Sequence, residues 1–503
     1  MFFVTKLPYG RVSQREVVTS DVIAVVDTED FCIEEVSRKF CQKCKGKVLG
    51  VSDDNIEAYS NAEMIEVQLS TGAIMGKKPL FTYDGSVVTG HSVDKLPENC
   101  VIPFGTTVLS VAKNTYDDTV NSDIVSISLP PTVERIKSFF FDDCTNLETI
   151  YFSEGLEVID GQNFRHNPKL DLSKIHLPST LRTIGFPCFY DDVQLWREKR
   201  RGLLTVDNVA VFYSYDGNPN ISFPDDCTVL SKSALMNIDG SIDVKTIHIG
   251  KQIKHIDEDV FDNIQMFGGQ IRRGVFTVTV DKDNPYYKER DGVVYDTRTM
   301  TAIVCDRTRR KIVIPNGVKH IASCFLAYIH KVKCVVIPSS VESIGDFAFA
   351  YCSDLEDVEL SSGLKEIGES VFAHCKKLKK INIPDTVTKV GIGAFKVCHS
   401  LTEVHWSKNT PIVDDYTFRY CKSMHEFIVP EGVTQIGKEV FLDCASLTSL
   451  VLPSSLDKMS KTALIGNSGN YSGKSCDNVT VTCVKGSKIE KAMQKHGIKH
   501  ISV

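Results

Sequence analysis

The chain has 503 residues, 42% of them hydrophobic and 24% charged, an ordinary globular balance that excludes extended disorder and collagen-like repetition. A net charge of −6 offers no basic footprint to a polyanion, which excludes nucleic acid and anionic membrane as leading partners. No run approaches the roughly 18 apolar residues of a membrane helix, and Met1 to Gly10, broken by Lys6 and Pro8, lacks the apolar core of a secretory signal; a soluble, cytoplasmic chain is the expectation.

Residues 1–95 show no long period. Val22 to Val26 is a continuous apolar run suited to a buried strand, and Ile33, Val36, Phe40 and Cys44 fall on one helical stripe that stops near Gly46. Ile65, Val67 and Leu69 alternate as a strand. The segment reads as a small α/β domain that shields whatever follows. Within it, Cys41-Gln-Lys-Cys44 has the spacing of a metal or disulfide pair. Zinc needs two further ligands, only Cys32, His91 and Cys100 stand nearby, and no second paired motif occurs. A thioredoxin-like pair sits at a helix start, whereas this one falls near a helix end. Cys44 is therefore read as part of the apolar stripe, and neither metal nor cofactor is expected.

From residue 96 onward a repeat takes over. Pro130, Val133, Ile136, Phe141 and Cys144 form one clear unit, followed by Phe164 and by Phe189 in the unit of Pro178, Leu181 and Ile184. Leu235, Phe261 and Phe325 fit the phenylalanine slot. Two stretches, at about 191–222 and 281–310, interrupt the count. Each holds an alternating run, Val209 to Tyr213 or Val293 to Tyr295, beside Asp216-Gly217 or Asp291-Gly292, and reads as a hairpin projecting from the coil.

Beyond residue 311 the ruler is strict: Phe349, Phe372, Phe395, Phe418 and Phe441 stand 23 residues apart, and each is followed three positions later by Cys352, Cys375, Cys398, Cys421 or Cys444. A fixed period of this length marks a solenoid, in which each unit buries its apolar face only against its neighbours. One unit runs from Leu355 through alternating Val358 and Leu360, then Leu364 and Ile367, to Phe372 and Cys375. Pro338, Pro384, Pro430 and Pro453 close the strands, since proline fixes φ and donates no hydrogen bond. The chain then turns back through apolar pairs such as Val341 and Ile344. The register reaches Leu464, for about a dozen coils in all. Seventeen cysteines, odd in number and tied to the repeat, are read as small buried hydrophobes, not as a disulfide framework. Residues 486–503 predict a closing helix over Lys488 to Lys495, a glycine stop at Gly497 and a last strand, so the array occupies 96–485.

The run Leu378, Ile381, Ile383, Pro384, Val387, Val390, Gly391, Ala394, Phe395 and Cys398 resembles the unit of the BspA-like leucine-rich repeat family. The likeness extends over residues 311–460 and 125–190, and Asn284-Pro-Tyr-Tyr287 with Asp291-Gly-Val-Val-Tyr295 resembles an insertion common in that family. The resemblance implies a curved, right-handed leucine-rich repeat solenoid with a parallel β-sheet on its concave face. It implies adhesion or protein recognition without a catalytic residue. Members are often displayed on cell surfaces or secreted, which makes an unconventional route to the surface the alternative to the cytoplasm.

The sequence contains no Gly-x-Ser-x-Gly, no phosphate-binding Gly-x-x-x-x-Gly-Lys-Ser/Thr and no His-Glu-x-x-His, and its 13 histidines share no repeat slot. No catalytic residue is expected. The candidate site is the outward face of the strands, where stacked coils place Thr149 and Tyr151, Asp357 and Glu359, Lys380 and Asn382, Glu403 and His405, Glu426 and Ile428, and Ser449 and Val451. Such a polar surface of both signs, with apolar members, suits a protein partner. Two alternatives stay open: an amino-terminal metal or thiol module targeted by the solenoid, and a self-associating structural scaffold.

Overall fold

A computed structural model describes residues 124–185, 202–231, 244–257, 274–464, 478–495 and 497–503 continuously, with shorter stretches at 2–5, 64–68, 73–74, 81–91, 98–102, 106–110, 188–189, 234–235, 260–261, 265–267 and 270–272. The chain divides into two compact units, one formed by Met1–Asp216, Pro224–Asn237 and Gln252–Val260, the other by Gly217–Phe223, Ile238–Lys251 and Phe261–Val503. Among the described residues the array is a parallel-strand β-solenoid of about 15 turns with very little helix.

In the first unit Asn99–Val101, Ser126–Ser128 and Thr149–Tyr151 pair in parallel, aligning the buried Cys100, Ile127 and Ile150. The apolar pairs that the sequence presents as a return turn form a second parallel ladder. It runs through Val108–Leu109, Arg135–Ile136, Val158–Ile159 and Thr183–Ile184. Strands of two residues are too short to show alternation, which hides this ladder from a periodicity argument. Its first rung is Val87–His91, which forms an antiparallel hairpin with Phe81–Asp84 and so carries the ladder upstream of residue 96. Phe2–Thr5, Met64–Gln68 and Ala73–Ile74 make a small antiparallel sheet. The strand read at Val22 to Val26, the helix read from Ile33 to Cys44, and Cys41 itself lie outside the described residues.

The two interruptions are hairpins, but they do not stand off the coil. Gly202–Val206 pairs antiparallel with Val209–Ser214, whose Val209 and Ala210 then run parallel to Val229–Leu230. In the second unit Tyr287–Arg290, Val293–Asp296 and Thr301–Cys305 form an antiparallel sheet, and Thr301–Ala302 continues in parallel into His320–Ile321. Val209, Ala210, Val293, Val294, Ala302 and Val304 are each fully buried. These hairpins begin new ladders, which is why the coils outnumber those counted from the phenylalanine ruler.

The second unit repeats the two-ladder plan. Its outer strands include Lys311–Val313, Cys334–Ile337 and Asp357–Leu360, then Lys380–Asn382 and Glu403–His405, then Glu426–Ile428, Ser449–Val451, Thr480–Cys483 and His500–Ser502. After the strand the proline carbonyl closes a tight turn, as in Val387 N–H donating to Pro384 O at 2.9 Å. The glycine after the second ladder strand lets backbones touch: a Cβ on Gly391 would lie 2.6 Å from Glu369 N. At the end, Lys488–Lys495 is helical, Ser487 Oγ accepts from Glu490 N–H at 3.0 Å, and Glu490 accepts from Gly486 N–H at 2.6 Å.

A third column of cross-coil bonds crosses the phenylalanine turn. Phe347, Phe349 and Tyr351 donate their N–H groups to Glu369, Val371 and Ala373 at 2.8, 3.0 and 2.7 Å. The turn places two residues per coil in the left-handed region, including Phe347 and Tyr351, Ser370 and His374, Tyr416 and Tyr420, and Glu439 and Asp443. The core beneath is a stack of rings, with Phe349, Phe372, Phe395, Phe418 and Phe441 at successive centroid distances of 5.5, 5.6, 5.8 and 6.1 Å. Cysteine does more than fill space here. Cys375, Cys398 and Cys421 are thiols whose Sγ donates to Phe349 O, Phe372 O and Phe395 O of the preceding coil at 3.3, 3.2 and 3.3 Å.

Candidate functional site

Alternation along each outer strand sends one side chain inward and its neighbours out. Val358, Ile381, Phe427 and Leu450 are accordingly buried, while Glu359, Lys380, Asn382, Glu403, His405, Glu426 and Ile428 are exposed and Asp357, Ser449 and Val451 are partly so. Thr149 and Tyr151 occupy the same positions in the first unit, and Tyr151 is 57% exposed. The candidate residues are not one uniform sheet. Pairing runs unbroken from Lys311–Val313 to Asp357–Leu360 and from Glu426–Ile428 to His500–Ser502, but Lys380–Asn382 and Glu403–His405 pair only with each other.

That isolated pair flanks a cleft of about 560 Å3 lined by Lys380, Asn382, Glu403, His405, Glu426 and Ile428, with Val404 and Trp406 also at its wall. Two local features accompany the opening. Trp406 takes a slot that Ile337, Ile383, Val429 and Leu452 fill in other coils, and its indole meets Phe418 and Phe427 edge-on at 5.7 and 6.4 Å. Pro411, in the same coil, lacks the N–H with which Lys365 and Thr388 bond the coil before them, and the second ladder also stops there, between Lys389–Val390 and Ile412–Val413. The hydroxyls of Ser407 and Thr410 instead donate to Val387 O, both at 2.8 Å. The indole N–H of Trp406, a residue 2% exposed, has no hydrogen-bond partner among the described residues.

Charge on this face is arranged by coil. Elsewhere in the unit a lysine neutralises the carboxylate one coil away, as in Lys333 with Glu356 at 2.9 Å, Lys365 with Glu342 at 2.5 Å, Lys377 with Asp354 at 2.6 Å and Lys408 with Asp385 at 3.1 Å. Glu403 and Glu426 occupy equivalent positions on successive strands and enter no ion pair among the described residues; Glu426 accepts a hydrogen bond of 3.3 Å from Ser449 Oγ. Upstream, Cys334, Asp357 and Glu359 bring a thiol and two carboxylates within 4.8 Å of one another. Burial pushes the Cys334 thiol up, Lys311 pulls it back in part, and Asp357 and Glu359 push it higher. In the first unit Asp142, Asp143 and His166 also converge, but Arg165 already holds the Asp142 carboxylate at 2.5 and 3.0 Å. Cys100, a zinc ligand considered from sequence, is 1% exposed in the core.

Cys334 escapes a reading by repeat slots because it occupies an outward position, whereas the repeat places Trp406 inward without revealing the cleft beside it. The available signal is chemical: tryptophan in an aliphatic slot, and glutamates in the same outward slot of two successive coils.

The profile of the BspA type leucine rich repeat region matches in six copies, over residues 110–237, 170–267, 305–401 and 343–471. No curated protein matches. Among solved structures, the chain is similar to the pneumococcal vaccine antigen PcpA, at 16% identity and a TM-score of 0.37 over 87% of this chain and 98% of that one. It is also similar to a leucine rich cell surface protein from Faecalibacterium prausnitzii, at 19% identity and a TM-score of 0.32 over 76% and 96%. A leucine-rich repeat protein from Bacteroides ovatus gives 18% identity and a TM-score of 0.29 over 84% and 97%. Family and fold are typically non-enzymatic. Among the described residues no helix is long and apolar enough to cross a membrane. With the repeat profile matching more than half of its residues, on coils that carry its leucine, proline, phenylalanine and cysteine slots, the chain belongs to the BspA-type leucine-rich repeat family.

Proposed function

We propose that this chain is a non-enzymatic recognition protein that binds a protein partner, as in adhesion, through the outward face of its outer strands. One observation carries the reading: Lys380, Asn382, Glu403, His405, Glu426 and Ile428, exposed on three consecutive strands, line a common cleft. A fixed backbone presenting charges of both signs beside an apolar side chain is suited to a protein surface, because ordering it on binding costs little entropy. Asp357 and Glu359 extend the same face on the preceding strand.

A random-peptide display library panned on the purified full chain tests this. Enriched peptides are expected to lose at least about tenfold in affinity for the Asp357→Lys, Glu359→Lys, Glu403→Lys variant, whose substitutions fall on exposed or half-exposed side chains and whose fold is checked by circular dichroism. Enriched peptides that bind the variant undiminished place recognition elsewhere and overturn the reading.

A further inference from the structure

We infer that the cleft beside Trp406 receives an extended, cationic segment of the partner, with an arginine followed two residues later by a large apolar side chain; this rests on the recognition reading above. The charge argument comes first. Carboxylates facing solvent on neighbouring strands repel, whereas carboxylates beside the strands and in the turns, Glu342, Asp354, Glu356 and Asp385, each pair with a lysine one coil away. Glu403 and Glu426 stand on successive strands at the cleft wall, and neither forms an ion pair among the described residues. Lys380 lies one coil before Glu403 and ion-pairs with neither among the described residues. It repels a cation from that end and favours a seat between the two glutamates. A guanidinium matches the site because its planar fork can bond two carboxylates at once.

The spacing follows from the strand itself. Glu426 and Ile428 project on the same side of one strand, about 6.6 Å apart at the 3.3 Å rise of a parallel strand. An extended peptide lying along it presents residues i and i+2 at that same distance. Ile428 is 58% exposed, so an apolar side chain at the second position covers surface now in water. The edge of Glu403–His405 facing Glu426–Ile428 carries no ladder partner, which leaves main-chain groups for an extended backbone to bond.

The chain has two tryptophans, so Trp196→Phe leaves Trp406 as the reporter. The probe is a blocked Gly-Arg-Thr-Leu-Gly peptide, compared with the same peptide carrying glutamate in place of arginine. Trp406 emission is expected to change saturably with the arginine peptide, and the glutamate peptide is expected to bind at least about tenfold more weakly. The Glu403→Gln, Glu426→Gln double variant, altered only at exposed side chains, is expected to lose a similar factor, and Ile428→Ser to weaken binding without changing its salt dependence. Calorimetric titration of the unsubstituted chain supplies the same ordering should Trp196→Phe fail to fold. Equal affinity for the two peptides, or affinity untouched by the glutamine variant, overturns the assignment. If the arginine peptide fails while library peptides still distinguish the chain from its lysine variant, the cleft assignment falls and the recognition reading stands; if both fail, both fall.

Discussion

The cysteine slot is a hydrogen-bonding position. In regular coils the Phe N–H donates forward to the next coil, and the Phe carbonyl accepts from the cysteine Sγ of the following one. Asn167 stands 23 residues after Cys144, in that slot, and does the same work as an amide: its Nδ2 donates to Phe141 O at 3.0 Å and its Oδ1 accepts from Cys144 N–H at 3.0 Å. The Cys398 thiol, pushed up to about 12 by burial, stays protonated and so remains a donor. Cys398→Ala, which leaves Phe372 O with only its turn bond from Cys375 N–H at 3.2 Å and opens a small void, is expected to lower stability by about 1–2 kcal/mol in urea unfolding. A loss below experimental error would make the thiol mere filling. Counting residues reveals that Cys398 is buried, but not what it donates to. The same count makes Asn167 look like a failed repeat, because periodicity records polarity and not hydrogen-bond geometry.

Within one coil the strands were legible from Val358 and Leu360 or Ile381 and Ile383, and the closing prolines from the need to stop a rung. The phenylalanine turn was not. Its left-handed residues include Phe347, Tyr416 and Val397, types that avoid this region at a cost of roughly 1–2 kcal/mol each. Cross-coil bonds on the turn hold them there, so no local glycine signal exists beyond Gly393. The turn also stacks Tyr328, Tyr351 and His374 at centroid distances of 4.2 and 4.1 Å. Burial first, then Lys396, Lys376 and His399, bring His374 down to about 4. A histidine whose folded value lies below its unfolded one leaves the unfolded state holding more protons between them. Stability is therefore full above about pH 6.5 and falls as pH drops toward 4, by about 1–2 kcal/mol after allowance for solvent screening. Replacing it by His374→Phe should flatten that part of the stability profile measured by denaturant unfolding; an unchanged slope would assign the loss to other groups.

At the scale of the whole molecule, the solenoid and its family were legible because the core repeats, whereas the burial of the hairpins and the cleft were not because they depend on departures from it. Val209 to Tyr213 and Val293 to Tyr295 read correctly as hairpin strands, yet their burial and their continuation into parallel ladders needed the coordinates. The outward residues were likewise nameable from alternation, while the grouping of six of them, Lys380, Asn382, Glu403, His405, Glu426 and Ile428, around one cleft accompanies the ladder interruptions next to Trp406 and Pro411. Recognition is accordingly proposed where the array is least regular. Hydrogen exchange read by mass spectrometry, on the chain alone and with a peptide selected from the library, tests this most directly. The account predicts fast exchange across residues 402–406 in the free chain compared with the doubly paired Cys334–Ile337, and new protection at 402–406 and 426–430 when the peptide is bound. Uniformly slow exchange in the free chain, or protection confined to other coils, would contradict it.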